Sequence, residues 1–185
     1  MTILLIAEAR SGSTNLAKWL KKSLPDFNLL NEPFNFRSSD FVGNNRIIDY
    51  TKDNIISEKY FFNESLINDM IEKSDIVFCL KRERLVDQLE SYIVAHKTNN
   101  WYDEYNPQDI YENIEGLSEE IKKFVDSKKQ LSDFVKENNI KTFTYENLYY
   151  ENGIQDLKTF LNIKTDVPFP YGKKYRKDIN KKTVI

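Results

Sequence analysis

Thr2-Ile-Leu-Leu-Ile-Ala7 runs directly into Glu8-Ala-Arg-Ser-Gly-Ser-Thr14 and then into Asn15-Leu-Ala-Lys-Trp-Leu20. The first piece is a short apolar run, the pattern of a buried strand. The second is a small-residue loop, and the third has helical spacing of its apolar side chains. Strand, tight loop and helix start together form a cradle for an anion. Backbone N–H groups at a helix N-terminus lack intrahelical partners, and the helix dipole favours negative charge there. Arg10 adds a fixed positive charge, and Ser11, Ser13 and Thr14 add hydroxyls. A phosphate-like group is therefore expected at this loop. The alternative is an ordinary strand–helix turn closed by a hydroxyl cap.

Two common phosphate-binding patterns are absent. The nucleoside triphosphate loop G-x-x-x-x-G-K-[ST] is not met: position 7 is Ala, no other Gly precedes Gly12 in the loop, and it is Gly12 rather than a Lys that precedes Ser13. The dinucleotide pattern G-x-G-x-x-G is missing as well. Two further segments carry candidate ligand residues. Asp75-Ile-Val-Phe-Cys-Leu80 is an apolar run that leads into Lys81-Arg-Glu-Arg and a helix-like stretch through Gln88, Ser91 and Ala95. A basic residue leaving a strand end sits where doubly wound sheets bind ligands. Lys141-Thr-Phe-Thr-Tyr-Glu-Asn-Leu148 is a short strand with an aromatic at its end. The alternatives are a solvated basic cluster with an exposed Ser91, a core Tyr145, and a Glu146 that only caps the next helix.

Taken in order, these elements resemble the sulfotransferases that use 3′-phosphoadenosine-5′-phosphosulfate (PAPS). Arg10-Ser-Gly-Ser-Thr14 is similar to the family's 5′-phosphosulfate loop, [KR]-[ST]-G-[ST]-[ST]. Leu80, Arg82, Gln88, Ser91 and Ala95 fill its 3′-phosphate pattern, L-x-R-x-x-x-x-x-Q-x-x-S-x-x-x-A. Tyr145-Glu-Asn-Leu148 is similar to its Y-E-[DN]-L element. Many cytosolic members place the Ser eight residues after the Arg; the longer gap from Arg82 to Ser91 resembles the carbohydrate-type and bacterial members. The resemblance implies a P-loop-like α/β fold, PAPS as donor and 3′,5′-adenosine bisphosphate as product. It implies Arg10, Ser11, Gly12, Ser13 and Thr14 at the 5′ end, Arg82 and Ser91 at the 3′-phosphate, and Tyr145 near the adenine. Tyr175-Arg-Lys-Asp178 is similar to the basic C-terminal segment that closes over the 3′-phosphate, which adds Arg176 and Lys177; the family's Gly-rich version is missing.

Composition narrows the classes. Lys+Arg at 27 against Asp+Glu at 29 gives a net charge of −2, which speaks against a nucleic-acid or membrane surface. One Cys excludes an internal disulfide, which fits a reducing, cytoplasmic setting, and one Cys with one His cannot make a zinc site. No stretch approaches the ~20 apolar residues of a membrane span. With 185 residues, one domain is expected. Cys79 reads as core, and His96 as a surface residue outside the family's base position.

The expected order is a strand over 2–7, a helix over 14–23 and a short strand near Phe27–Leu30. An irregular polar stretch follows over 37–62. A helix over 63–73, a strand over 75–80, a helix over 84–97 and a loop from Asn99 to Glu115 come next. The remainder is a helix from Ser118 to Asn138, a strand over 140–145, a helix over 153–161 and a lysine-rich tail. Ile121, Phe124, Val125, Leu131, Phe134 and Val135 are expected to face inward on the long helix. Strands alternating with helices predict three layers, a parallel sheet with helices on both faces.

Sulfuryl transfer needs a base for the acceptor hydroxyl. Glu32 is the first candidate, because Glu32-Pro-Phe34 leaves the second strand and is similar to the acceptor-side motif of members with a carboxylate base. Glu8 is the second, and a surface or loop-bracing carboxylate is the alternative for Glu32. Phe34, Phe36, Trp101, Tyr102 and Tyr105 are candidates for an acceptor cleft, with a carbohydrate or small-molecule hydroxyl as acceptor. Two other functions stay open: a small-molecule or nucleoside kinase with a degenerate loop, and a nucleotide-binding module without catalysis.

Overall fold

The structure is a computed structural model, and it describes residues 1–34, 48–59, 64–98, 118–151 and 153–170, with the side chains of 96–98 left out. Phe36, Trp101, Tyr102, Tyr105, Arg176 and Lys177 lie outside the described residues, as does the loop expected from Asn99 to Glu115.

Thr2–Ala7 forms β1, and all of its residues are buried. That is why the run is continuously apolar: a strand with neighbours on both edges and helices on both faces has no wet side. β1 pairs in parallel with β3 (Asn54–Lys59) on one edge and with β4 (Ile76–Lys81) on the other. β2 (Asn28–Asn31) adds outside β3, and β5 (Lys141–Thr144) adds outside β4. The sheet is five-stranded and all parallel, in the order β2-β3-β1-β4-β5.

Alternate residues of β1 feed two cores. Ile3, Leu5 and Ala7 pack with Leu16, Trp19 and Leu20 of α1 (Ser13–Ser23). Leu148 and Tyr149 of α5 (Tyr145–Tyr150) and Ile154 and Leu157 of α6 (Gly153–Phe160) join the same side. Leu4 and Ile6 face the other way, onto Ile67 and Met70 of α2 (Glu64–Glu72) and Leu131, Phe134 and Val135 of α4 (Ser118–Glu137). The expected three layers are present. α3 (Leu85–Thr98) follows β4. Burying each such Leu or Ile contributes about 1.5–3 kcal/mol.

Three expectations need correction. Residues 54–59, read as part of an irregular stretch, form a strand between β2 and β1. Hydropathy misses it because its polar residues are buried: Asn54, Ser57 and Glu58 are each at most 3% exposed. Asn54 is satisfied there, its Nδ2 donating to the carbonyls of Asp49 and Lys52 at 2.9 Å each. Tyr145 does not end a strand but opens α5, where Thr144 is the N-cap and accepts from the Asn147 N–H at 3.3 Å. Val125, expected inward, is exposed, because Phe124, Leu131 and Val135 define the buried stripe and Val125 lies a helical step (100°) off it.

Candidate anion site at the strand ends

From β1 the chain moves first to one side of the sheet, building β2 and β3, and later to the other, building β4 and β5. The carboxyl end of β1 is therefore a topological switch point, where open α/β sheets bind ligands. The loop Glu8–Gly12 lies there. α1 begins at Ser13, after Gly12 as N-cap, with no side-chain cap and no acidic residue in its first turn. The hydroxyl-capped turn is thus not what this helix start is. Its positive end is left to other partners.

Gly12 is the loop's conformational pivot. Its φ is +83°, and a Cβ there would stand 2.8 Å from Cδ2 and Cε2 of Tyr145. The Tyr145 ring stacks on Tyr149 at 4.4 Å, and the Tyr149 hydroxyl donates to the Gly12 carbonyl at 3.0 Å. The loop is thus roofed by two tyrosines of α5.

One cluster of expected residues meets beside this roof. Arg10 has a left-handed backbone, φ 60°, and its Nε donates to Ser91 Oγ of α3 at 2.8 Å. Arg82, leaving β4, donates from Nη1 to the Arg10 carbonyl at 3.3 Å. Its guanidinium carbon lies 4.7 Å from the centre of the Tyr145 ring, a cation–π distance. Arg82 Nε is buried without a hydrogen-bond partner, with Glu146 Oε1 at 4.0 Å. Glu146 itself accepts the N–H groups of Glu83 at 3.0 Å and Arg84 at 3.1 Å, so it caps the start of α3 rather than α5. Arg10, Arg82, Ser91 and Tyr145, drawn from three distant segments, thus share one neighbourhood.

A second cluster flanks the loop on its other side. Glu32, at the end of β2, also has a left-handed backbone, φ 48°, and its N–H donates to the Ser57 carbonyl at 2.7 Å. Its Oε1 lies 3.7 Å from Lys59 Nζ at the end of β3. Lys59 also donates to Ser13 Oγ in a short hydrogen bond. Burial pushes the Lys59 ammonium below its ordinary pKa, against the opposing pull of Glu32 and Glu58. Glu58 is buried; desolvation raises its carboxyl to about 7, although it accepts the N–H groups of Phe34 at 3.1 Å and Lys59 at 3.0 Å. Non-glycine residues at positive φ cost on the order of 1–3 kcal/mol and gather at functional sites. Here two of them are the residues singled out for chemistry.

Sequence reasoning missed Lys59 and Glu58. The only signal was slight: an apolar pair, Ile55-Ile56, followed after Ser57 by the charged residues Glu58 and Lys59. The other loop residues divide. Ser11 is fully buried and its hydroxyl donates inward to the Glu8 carbonyl at 2.8 Å, while Ser13 reaches the site through Lys59. Thr14 is half-buried in the first turn of α1. Glu8, the second candidate base, is 6% exposed and is engaged by Lys128, by Gln88 and by the Arg82 N–H, which makes it a brace. Phe34 packs against the core on the α2 and α4 side of the sheet. Cys79 is buried and its thiol is pushed up to about 12 by desolvation, as a core cysteine should be.

A separate groove of about 550 Å³ runs along β5 and α6, lined by residues such as Lys141, Phe143, Asp156 and Phe160, and includes none of the loop residues. Among the described residues no group of His, Cys, Asp and Glu is arranged to hold a metal ion, and no helix is long and apolar enough to cross a membrane. No protein-family model matches the chain, and no curated protein matches it.

Proposed function

We propose that the protein is a sulfotransferase that moves a sulfuryl group from PAPS to an acceptor hydroxyl on a carbohydrate or small molecule. One observation carries this reading. The uncapped start of α1 lies between two separate cationic clusters, Lys59 with Ser13 and Glu32 on one side, Arg10 with Arg82 and Ser91 on the other. Such a layout suits one ligand with two anionic ends, and a 3′-phosphorylated 5′-phosphosulfate is such a ligand.

In this assignment the Arg10, Arg82 and Ser91 cluster takes the 3′-phosphate. The loop, Ser13 and Lys59 take the phosphosulfate. Glu32 accepts the acceptor's proton as its oxygen attacks sulfur, and the bond from sulfur to the 5′-phosphate oxygen breaks, releasing 3′,5′-adenosine bisphosphate. Charge grows on that leaving oxygen, so pre-set donors contribute most of the rate. Lys59 lies between Glu32 and Ser13, which lets one ammonium serve both the base and the leaving phosphate. The fold reading that accompanies this function is the P-loop-like sulfotransferase fold.

The test is thermal stabilisation by 3′,5′-adenosine bisphosphate against ATP with magnesium, ADP and AMP. Ligand at 100 times Kd adds about 2.7 kcal/mol. Selective stabilisation by the bisphosphate, followed by transfer of labelled sulfate from PAPS to a hydroxyl acceptor, is the expected result. Stabilisation by ATP with magnesium instead would turn the reading to a kinase. Bisphosphate binding without transfer to any acceptor would turn it to a binding module.

A further inference from the structure

One ammonium reaches four acceptors in this molecule. Lys128 Nζ of α4 donates among both oxygens of Glu8, at 3.0 and 2.8 Å, the Gln88 Oε1 at 3.2 Å and the Arg82 carbonyl. Glu8 Oε2 in turn accepts the Arg82 N–H and the Gln88 Nε2, each at 3.0 Å. Both peptide groups of Arg82 are therefore pinned, the N–H by Glu8 and the carbonyl by Lys128. Gln88 is fully buried, and a cation at its Oε1 orients the amide so that Nε2 donates to the Ala9 carbonyl at 2.7 Å. Ala9 directly precedes Arg10, the residue held at φ 60°.

We infer that Lys128, through Glu8 and Gln88, is the positioning residue that holds Arg82 and Arg10 in register for a 3′-phosphate. The inference rests on the proposed bisphosphate site and deepens it. The geometry argues for a clamp rather than general bracing. Buried ion pairs add little net stability, because desolvation offsets their attraction, and hydrophobic replacements are often neutral or better. What this pair does instead is join the ends of β1 and β4 to α3 and α4, at the two backbone positions from which the cations leave. Among the described residues, Lys128 meets the proposed site at the Arg82 carbonyl and otherwise acts through Glu8 and Gln88.

The experiment is calorimetric Kd measurement for 3′,5′-adenosine bisphosphate and for AMP, which lacks the 3′-phosphate. Wild type is compared with Lys128→Met and with the double variant Glu8→Gln/Lys128→Met. The double variant guards against misfolding, since it leaves no buried carboxylate without its counter-charge. Wild type is expected to prefer the bisphosphate. In the variants that preference is expected to fall at least 10-fold, while AMP affinity changes less than about 3-fold. A purely structural role would lower the melting temperature and weaken both ligands alike, or neither, and either result overturns the inference. If wild type itself shows no preference, the bisphosphate reading fails first and the clamp falls with it; the two failures are told apart by the wild-type measurement.

Discussion

Arg10 Nε and Ser91 Oγ are joined by a 2.8 Å hydrogen bond across 81 residues of sequence. The bond ties the loop's own cation to α3, while Lys59 reaches Ser13 and Glu32 from the end of β3. The resemblance alone assigns Arg10 to the 5′ end; under the proposed function, the bond to Ser91 supports a split in which the loop arginine serves the 3′ end and a strand-end lysine takes its place.

Ser91→Ala tests this split. A hydrogen bond with a charged partner contributes about 1.5–3 kcal/mol, so bisphosphate affinity is expected to fall about 10- to 150-fold. AMP affinity is expected to stay within error, since the loss lies at the 3′ side. Equal losses for both ligands would count against it.

Glu32→Gln is expected to keep nucleotide affinity and lose turnover by a factor of about 10²–10⁴, the usual contribution of a positioned base. Lys59→Met is expected to lower kcat about 100-fold or more, as removal of a pre-set donor to a developing oxyanion does. Single-turnover sulfate transfer with separately measured Kd values checks both. Wild-type turnover in a Glu32→Gln protein would sink the base assignment.

Gly12→Ala places a methyl group 2.8 Å from the Tyr145 ring at a backbone with φ +83°. Strain and overpacking together are expected to cost about 2–5 kcal/mol. Adding Tyr145→Ala should return the overpacking part and leave the backbone part, which a double-mutant cycle in urea resolves.

Glu58 gives a pH signature. Its carboxyl titrates near 7 when folded, above the unfolded value of 4.5, because burial disfavours the charge. The folded state thus binds the extra proton between those values, and this group's contribution to stability is lost as pH rises through about 7. Lys59, with its pKa lowered by burial, acts below its ordinary value and with the opposite slope. The difference between Glu58→Gln and wild type isolates the group. Relative to wild type, the variant is expected to gain about 1–3 kcal/mol between pH 5 and pH 8, and a flat difference in urea midpoints would contradict the assignment.

Much of this molecule is legible as a string, and the part that is not has one cause. β1, β4 and the long α4 announce themselves through apolar residues, and Arg10, Arg82, Ser91 and Tyr145 stand out through the motifs they resemble. Glu58 and Lys59 do not, because charged residues read as surface until the strand beneath them is known. Tertiary context overrides hydropathy where Lys59 finds Glu32 and Ser13, contacts made over 27 and 46 residues. Glu8 shows the reverse error: it lies in the loop and looks reactive, yet its partner Lys128 comes from a helix 120 residues away.

The Tyr149 hydroxyl on the Gly12 carbonyl, and the Trp19 indole N–H on the Val167 carbonyl at 3.1 Å, tie the first βα unit to the far end of the described chain. Contacts of such sequence separation form late, because chain closure must precede them. The final shape of the Glu8–Gly12 loop therefore depends on contacts that exist only once α5 has docked. An N-terminal fragment ending before α5 would lack both contacts, and under the proposed function a nucleotide added to the whole chain is expected to retard hydrogen exchange far beyond the residues it touches.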